Sequence, residues 1–379
     1  MTDADPLFES TALNGLELGN RVGLAPMTRV SATDDGRATD EMARYYTKFA
    51  DGGFSFLLTE GTYTDDAYSQ GYLNQPGLVT DEQVEAWTTV TEAVHDAGAP
   101  IFAQLMHAGA QAQGNPHVEG DETLAPSAVQ PPGEKAEAYG GTGEFAVPTE
   151  ATREDLDAAR EGFVDAARNA QEAGFDGVEI HGANGYLLNE FLASDTNQRD
   201  DEFGGDPEAR VRYPASVVEA VAEELPEEFV VGVRVSQTKV VDDSYEWAEG
   251  EEAAEAFFEA FSAAGADYVH VTEPDITAPA FGDEGPTLAE YAVEYGDAPV
   301  VANGGLGDPD TARSVLRTGA DLLTLGTSAL ANPDWPHRVA AGDELDGFDP
   351  AEFLVPSAEL STHEIPTEAS PATETAADD

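Results

Sequence analysis

Eight short apolar runs, each followed by an amphipathic stretch, set the strongest limit on what this chain can fold into. The runs fall at 21–25, 54–59, 101–105, 177–180, 230–235, 268–272, 299–302 and 322–325. None alternates polar with apolar residues, the pattern of strands covered on both faces. Between them, 38–51, 81–97, 152–173, 207–224, 250–264, 287–294 and 309–317 read as helices, and Thr152 with Asp155 supplies a capping box for the third. Eight strand–helix units predict an α/β fold, a (β/α)8 TIM barrel. A doubly wound sheet is the competing topology, but no Gly-rich turn follows the first strand. Ahead of the barrel, residues 7–20 read as a β-hairpin turning at Asn14-Gly15. Between the third strand and the third helix lies 107–150, rich in Pro and Gly. It is too long for an ordinary connection and reads as a lid or rim excursion. The barrel is expected to occupy 1–355. From Pro356 onward there are no aromatics, lysines or arginines, so 356–379 reads as an acidic disordered tail.

Charge narrows the partners. Of 379 residues, 75 are acidic and 17 basic, a net charge of −58. Such a surface repels nucleic acid and anionic membranes, which are bound through Lys/Arg patches. The chain is 41% hydrophobic with regular apolar runs, so the acidity reads as adaptation of a folded protein to high salt. In roughly 1 M salt the Debye length is about 3 Å and surface repulsion is screened. The composition resembles that of cytosolic proteins of extreme halophiles. No cysteine is present, which excludes disulfides, thiolate-held iron–sulfur clusters and a Cys nucleophile. The opening MTDADPLFES has neither the basic start nor the apolar core of a signal peptide. No apolar run approaches the ~20 residues of a membrane span. The expectation is a cytoplasmic protein acting on a small molecule, with its oligomeric state, a homo-oligomer included, left open.

In such barrels the active site lies at the C-terminal ends of the strands. Taken in order, those ends offer Pro26, Met27 and Thr28; Glu60 and Gly61; Gln104 and His107; His181, Asn184 and Tyr186; Arg234 and Ser236; His270; Asn303, Gly304 and Gly305; and Gly326 with Thr327. The fourth set is the most informative. His181, Asn184 and Tyr186 arrive within six residues, interleaved with Gly182 and Gly185. Glycine lets the backbone turn so that three side chains of different chemistry converge. His181 and Asn184 can hold one oxygen between them, and Tyr186 carries a transferable proton. At the seventh and eighth ends, ANGGLGD and LGTSALANP expose backbone N–H groups, and helices starting at Pro309 and near Ser328 point to the same spot. That is a phosphate-site pattern. The competing readings are a solvated loop with ordinary turn glycines, and a metal-dependent barrel hydrolase using His107, His181 and His270. The hydrolase is weakened because the first strand ends without His-x-His and carboxylates are sparse at the strand ends, so no metal site is assigned.

These residues resemble the Old Yellow Enzyme family of NADH:flavin oxidoreductases, which are FMN-dependent ene-reductases. The run HGANGYLLNEFLASDTNQRDDEFGG is highly specific to that family; LAPMTR, TEG, QLMHAG, GVRVS and NGG support it, and the resemblance covers 7–338. It implies FMN as cofactor, with Pro26, Thr28, Gly61, Gln104 and Arg234 along the flavin ring. Gly304, Gly305, Gly326 and Thr327 would surround the phosphate, and Met27 and Asn303 belong to the same cofactor-binding set. It implies that His181 and Asn184 bind the carbonyl or nitro oxygen of the substrate and that Tyr186 is the proton donor. The implied reaction moves a hydride from NADH or NADPH to flavin N5, then to the β-carbon of an activated alkene. One position departs from the family. After the eighth strand it commonly has Gly-Arg, where this chain has Gly326-Thr327, so a solvent cation, Arg313 or Arg338 would have to balance the phosphate. Two related readings remain. A non-catalytic flavin-binding protein is opposed by the His181, Asn184 and Tyr186 set. A cluster-bearing dienoyl-thioester reductase is opposed by the absence of cysteine.

Overall fold

The computed structural model describes residues 5–366. Eight parallel strands close into a barrel: β1 (Val22–Leu24), β2 (Leu57–Leu58), β3 (Ile101–Met106), β4 (Gly177–Asn184), β5 (Val230–Lys239), β6 (Tyr268–Thr272), β7 (Val300–Asn303) and β8 (Leu322–Leu325). Each pairs with the next in chain order, and β8 returns to β1. The helices around it are α1 (Asp40–Asp51), α2 (Asp81–Asp96), α3 (Arg153–Glu172), α4 (Arg212–Glu224), α5 (Glu251–Ala263), α6 (Leu288–Tyr295) and α7 (Pro309–Arg317). On α3 the residues Leu156, Ala159, Phe163, Ala167 and Ala170 are buried along one stripe, and the Thr152–Asp155 capping box is formed. The helix expected over 207–224 is broken at Val211, leaving Pro207–Arg210 as a separate turn.

Outward side chains of the strands, such as Val178 and Ile180 on β4 and Val231, Val233 and Val235 on β5, form the main core under the helices. Inward side chains divide by height. At the N-terminal end Phe102, Val230, Tyr268, Val301 and Leu322 pack with Leu13 and Leu18. Those two leucines come from the expected hairpin (Thr11–Leu13 with Leu16–Leu18), whose Asn14 and Gly15 have φ of 44° and 81°. Positive φ at both central residues is the type I′ geometry that Asn-Gly favours. Each plugging leucine is worth roughly 1.5–3 kcal/mol of burial. Above this plug the barrel interior turns polar. Gln104, Glu179, His181, Arg234, His270 and Thr324 are all buried there. The expectation of apolar strands on both faces therefore holds outside and below, and fails where the site is built.

The connection over 107–150 carries little regular structure, chiefly the parallel pair Leu124–Ala125 with Thr149–Glu150 and a short turn at Glu137–Tyr139. The C-terminal boundary differs from the sequence expectation. Within the stretch expected to be a disordered tail, Ala358 and Glu364 are buried and the chain is bonded to the barrel as far as Glu364. Long-range partners hold it, and composition does not register these. Residues 367–379 of the same expected tail lie outside the described residues.

Candidate active site

One cavity of about 360 Å³ opens at the C-terminal ends of the strands, within the size range of small-molecule sites. Its wall includes Pro26, Met27 and Thr28 after β1, Asn184 and Tyr186 after β4, Arg234 on β5, Asn303, Gly304 and Gly305 after β7, and Gly326 and Thr327 after β8. Eleven of the fourteen sequence-assigned positions thus meet at one surface. Gly61, Gln104 and His181 are not on that surface. Gly61 lies against Met106, whose Sδ would sit 2.5 Å from an added Cβ. Gln104 donates from Nε2 to Glu179 Oε1 at 2.8 Å. The His181 ring packs edge-on to Tyr186, with centroids 5.0 Å apart.

Strand β4 runs four residues further than the sequence suggests, to Asn184, which puts Glu179 and His181 on its inward face. The turn then depends on left-handed backbone at Asn184 (φ 63°) and Gly185 (φ 84°). A side chain at Gly185 would meet Gln111 Nε2 at 2.3 Å as well, so glycine is required there twice over. The Asn184 N–H donates to Ser236 Oγ at 2.8 Å, fixing the turn to β5.

Electrostatics set the proton positions. Burial, followed by the Arg234 charge, holds His181 down at about 3, so its imidazole is neutral. The Ala183 N–H donates to Nδ1 at 3.4 Å, which leaves the proton on Nε2. Burial pushes Tyr186 up to about 12, so its phenol keeps its proton at neutral pH. The Tyr186 hydroxyl is in direct hydrogen-bond contact with that of Tyr72, and the Tyr72 ring packs on Tyr139 with centroids 5.3 Å apart. Under them Glu179 is a hub. Its Oε2 accepts from Tyr268 at 3.1 Å and pairs with His270 Nδ1 at 2.7 Å, while His270 Nε2 meets Thr324 at 2.8 Å. Arg234 Nη2 donates to Asn303 Oδ1 at 2.9 Å and to Thr272 Oγ1 at 3.1 Å. Its Nε is buried with no partner.

Sequence reasoning missed Tyr72, Tyr139, Gln113 and Leu354 on the wall and Glu179 below it. Glu179 had a signal, since a carboxylate inside an apolar strand needs a partner when buried. Glu60, offered by the sequence at the second strand end, accepts from the Arg29 and Val30 amides at 2.8 and 3.1 Å. The histidines of the hydrolase reading are dispersed: His270 is held by Glu179 and Thr324, and His107 sits 4.0 Å from Asp65. Among the described residues no group of three His, Asp or Glu side chains is placed to share a metal.

The residues present fit FMN on three observations. The orphaned Arg234 Nε marks a missing acceptor. Gly304 presents bare backbone on the cavity wall, kept so by its φ of 130° and by Glu273 O, which an added Cβ would meet at 1.8 Å. The short helix after β8 begins at Gly326 without a side-chain cap. The helix α7, also expected to aim at the phosphate, is capped by its own Asp308, which accepts from Thr311 N. Arg313 and Arg338 are not on the cavity wall. They are engaged by Asp5 and Asp310, and by Asp334 and Asp346.

The family model described as "NADH:flavin oxidoreductase / NADH oxidase family" matches residues 6–346. The chain is 33% identical over 354 residues to a probable flavin mononucleotide-dependent alkene reductase of Leishmania infantum, covering 92% of this chain and 94% of that one. Among solved structures, the old yellow enzyme homologue from Zymomonas mobilis superposes with a TM-score of 0.83 at 31% identity, over 95% of this chain and 98% of that one. Morphinone reductase in complex with tetrahydroNAD superposes with a TM-score of 0.80 at 34% identity, over 91% and 93%.

Proposed function

The chain belongs to the NADH:flavin oxidoreductase / NADH oxidase family, the Old Yellow Enzyme family, and on that premise we propose that it is an ene-reductase acting on neutral activated alkenes. It is an NAD(P)H-dependent flavin oxidoreductase with FMN as its cofactor. When bound, FMN would supply the redox chemistry, hydride transfer from the nicotinamide to the β-carbon of an α,β-unsaturated carbonyl or nitro compound. Thr28, Gln104 and Arg234 would hold the ring, and Gly304, Gly305, Gly326 and Thr327 the phosphate. Arg234 brings a buried guanidinium, which favours negative charge on its neighbour. Neutral His181 and Asn184 donate to the substrate oxygen and stabilise the charge that develops on it. Tyr186 gives its proton to the α-carbon, and Tyr72 holds that hydroxyl in place. The observation that carries this reading is the meeting of Asn184, Tyr186, Arg234 and the two glycine loops in one cavity.

The first expected result is a yellow protein. Protein purified in high salt and then denatured should release FMN. A colourless protein that neither takes up FMN nor oxidises reduced nicotinamide would sink the proposal.

The wall also argues for the substrate's charge. Among the described residues lining the cavity, Arg234 is the one charged side chain. Nearby cations are already matched, Lys239 by Asp195 at 2.5 Å and Arg29 by Glu364 at 2.6 Å. With a net charge of −58 around it and Arg234 committed to the ring, a dianionic alkene finds repulsion and no further cation on the wall. A neutral cyclic enone should therefore outperform fumarate by about tenfold in kcat/KM at low ionic strength. Equal efficiency would remove charge as the selector.

No helix among the described residues is long and apolar enough to cross a membrane. A cytoplasmic location and a molar-salt working environment are part of the proposal, resting on the acidic composition.

A further inference from the structure

The segment 353–364 crosses the molecule to enclose Arg29, the residue after cavity-lining Thr28. Arg29 is completely buried, and Glu364 is 3% exposed. The two form a bidentate pair, Nη1 to Oε1 at 2.6 Å and Nη2 to Oε2 at 2.8 Å. The same guanidinium donates to Ala358 O at 3.0 Å and to Phe353 O at 3.2 Å. The Leu360 N–H donates to Ser31 Oγ at 2.8 Å, and the Ser31 hydroxyl donates to Arg29 O. Lys48 Nζ closes the end by donating to Glu364 O at 2.9 Å.

The held turn is strained. Val30 has φ of 42°, left-handed backbone in a β-branched residue, which persists only where the surroundings impose it. Glu60 grips the backbone amides of Arg29 and Val30 from one side. Glu364 grips the Arg29 side chain from the other. The segment also reaches the opposite wall. The Ala358 N–H donates to Ala138 O at 2.9 Å, and Ala358 packs in one cluster with Tyr72, Tyr186 and Tyr139. Leu354 itself lines the cavity.

We propose that 353–364 is a clamp, latched by Arg29 and Glu364, that positions Thr28 on one wall of the site and Tyr139, with Tyr72, on another. Arg29 and Glu364 are positioning residues: they act through Thr28 and Tyr139. The inference deepens the ene-reductase reading and rests on it for its catalytic consequence. Its structural consequence stands apart from flavin chemistry. A tail cut at residue 355 would remove the latch, so the segment is not dispensable.

The test is hydrogen–deuterium exchange on the FMN-loaded protein, in Glu364→Ala, Glu364→Gln and Ser31→Ala. Peptides covering 28–32 and 136–141 report the two walls. Glu364→Ala should speed exchange in both by about tenfold or more. Glu364→Gln, which keeps one acceptor oxygen but loses the charge and the second acceptor, should fall between, and Ser31→Ala should loosen 28–32 with the ion pair intact. Enone KM should rise in the same order, while the FMN absorption spectrum persists. Faster exchange confined to 350–364, with both wall peptides unchanged, would overturn the clamp. If Glu364→Ala does not fold, the other two variants decide the matter on the same peptides. If the wild-type protein holds no flavin, the function proposal fails while the exchange result still judges the clamp.

Discussion

Tyr186→Phe is expected to slow oxidation of the reduced flavin by an enone by about 10²–10⁴-fold, the span of positioned acid catalysis, while its reduction by nicotinamide stays nearly intact. Only the step that saturates the alkene needs a proton at carbon. Tyr186 is 5% exposed, meets Tyr72 through its hydroxyl, and is raised by burial to about 12. It therefore enters the step protonated. Stopped-flow traces of the two half-reactions separate the possibilities, and equal loss in both would make Tyr186 structural. The pH profile gives a second reading. A phenol raised to about 12 stays a donor until pH approaches that value, so the enone step should be flat across neutral pH and fall only in strong alkali. His181, lowered to about 3, stays neutral over the same range, so no inflection should appear near the ordinary imidazole value of about 6.5. An inflection there would mean that imidazolium, not imidazole, meets the substrate oxygen.

How much of this site was legible in the sequence depends on what kind of segment carries each residue. The barrel could be read because Val178, Ile180, Val231, Val233, Val269 and Val271 face outward into one core and recur with each unit. The end of β4 could be read because a His, an Asn and a Tyr among glycines have few structural uses together. Tyr72 and Tyr139 could not be read. They come from irregular connections, where no period says which way a side chain points, and their role exists only through contact with Tyr186. Glu179 is different: it was visible as a charge inside an apolar strand, and its partners Gln104, Tyr268 and His270 lie on β3 and β6. The C-terminal segment was misjudged for a physical reason. Low aromatic and cation content implies disorder only when no distant group supplies the missing contacts, and Arg29, 335 positions away from Glu364, supplies them.

The phosphate end of the site carries the other large expected effect. Gly304, Gly305, Leu306, Gly307, Gly326, Thr327 and Ser328 line it, and none bears a charge. Arg313 and Arg338 are held by Asp5, Asp310, Asp334 and Asp346, so the two arginines that could replace the missing one are already engaged. On the proposed function, the FMN phosphate would then be balanced by backbone N–H groups and the Thr327 hydroxyl within a field of net −58. A hydrogen bond to a charged partner is worth about 1.5–3 kcal/mol, so Thr327→Arg should tighten FMN binding by about 10–150-fold at low salt. In the wild-type chain FMN affinity should rise with KCl, both because the surrounding charge is screened and because a solvent cation can stand where the arginine is missing. Riboflavin, which has the same ring and no phosphate, is the control and should respond little. Titrations of both should run over a KCl range fixed beforehand by melting curves. A melting temperature that does not rise with KCl would itself contradict adaptation to molar salt. The Arg variant should flatten the FMN salt dependence as it tightens binding. Parallel salt curves for FMN and riboflavin would assign the effect to the fold and remove the phosphate from the account.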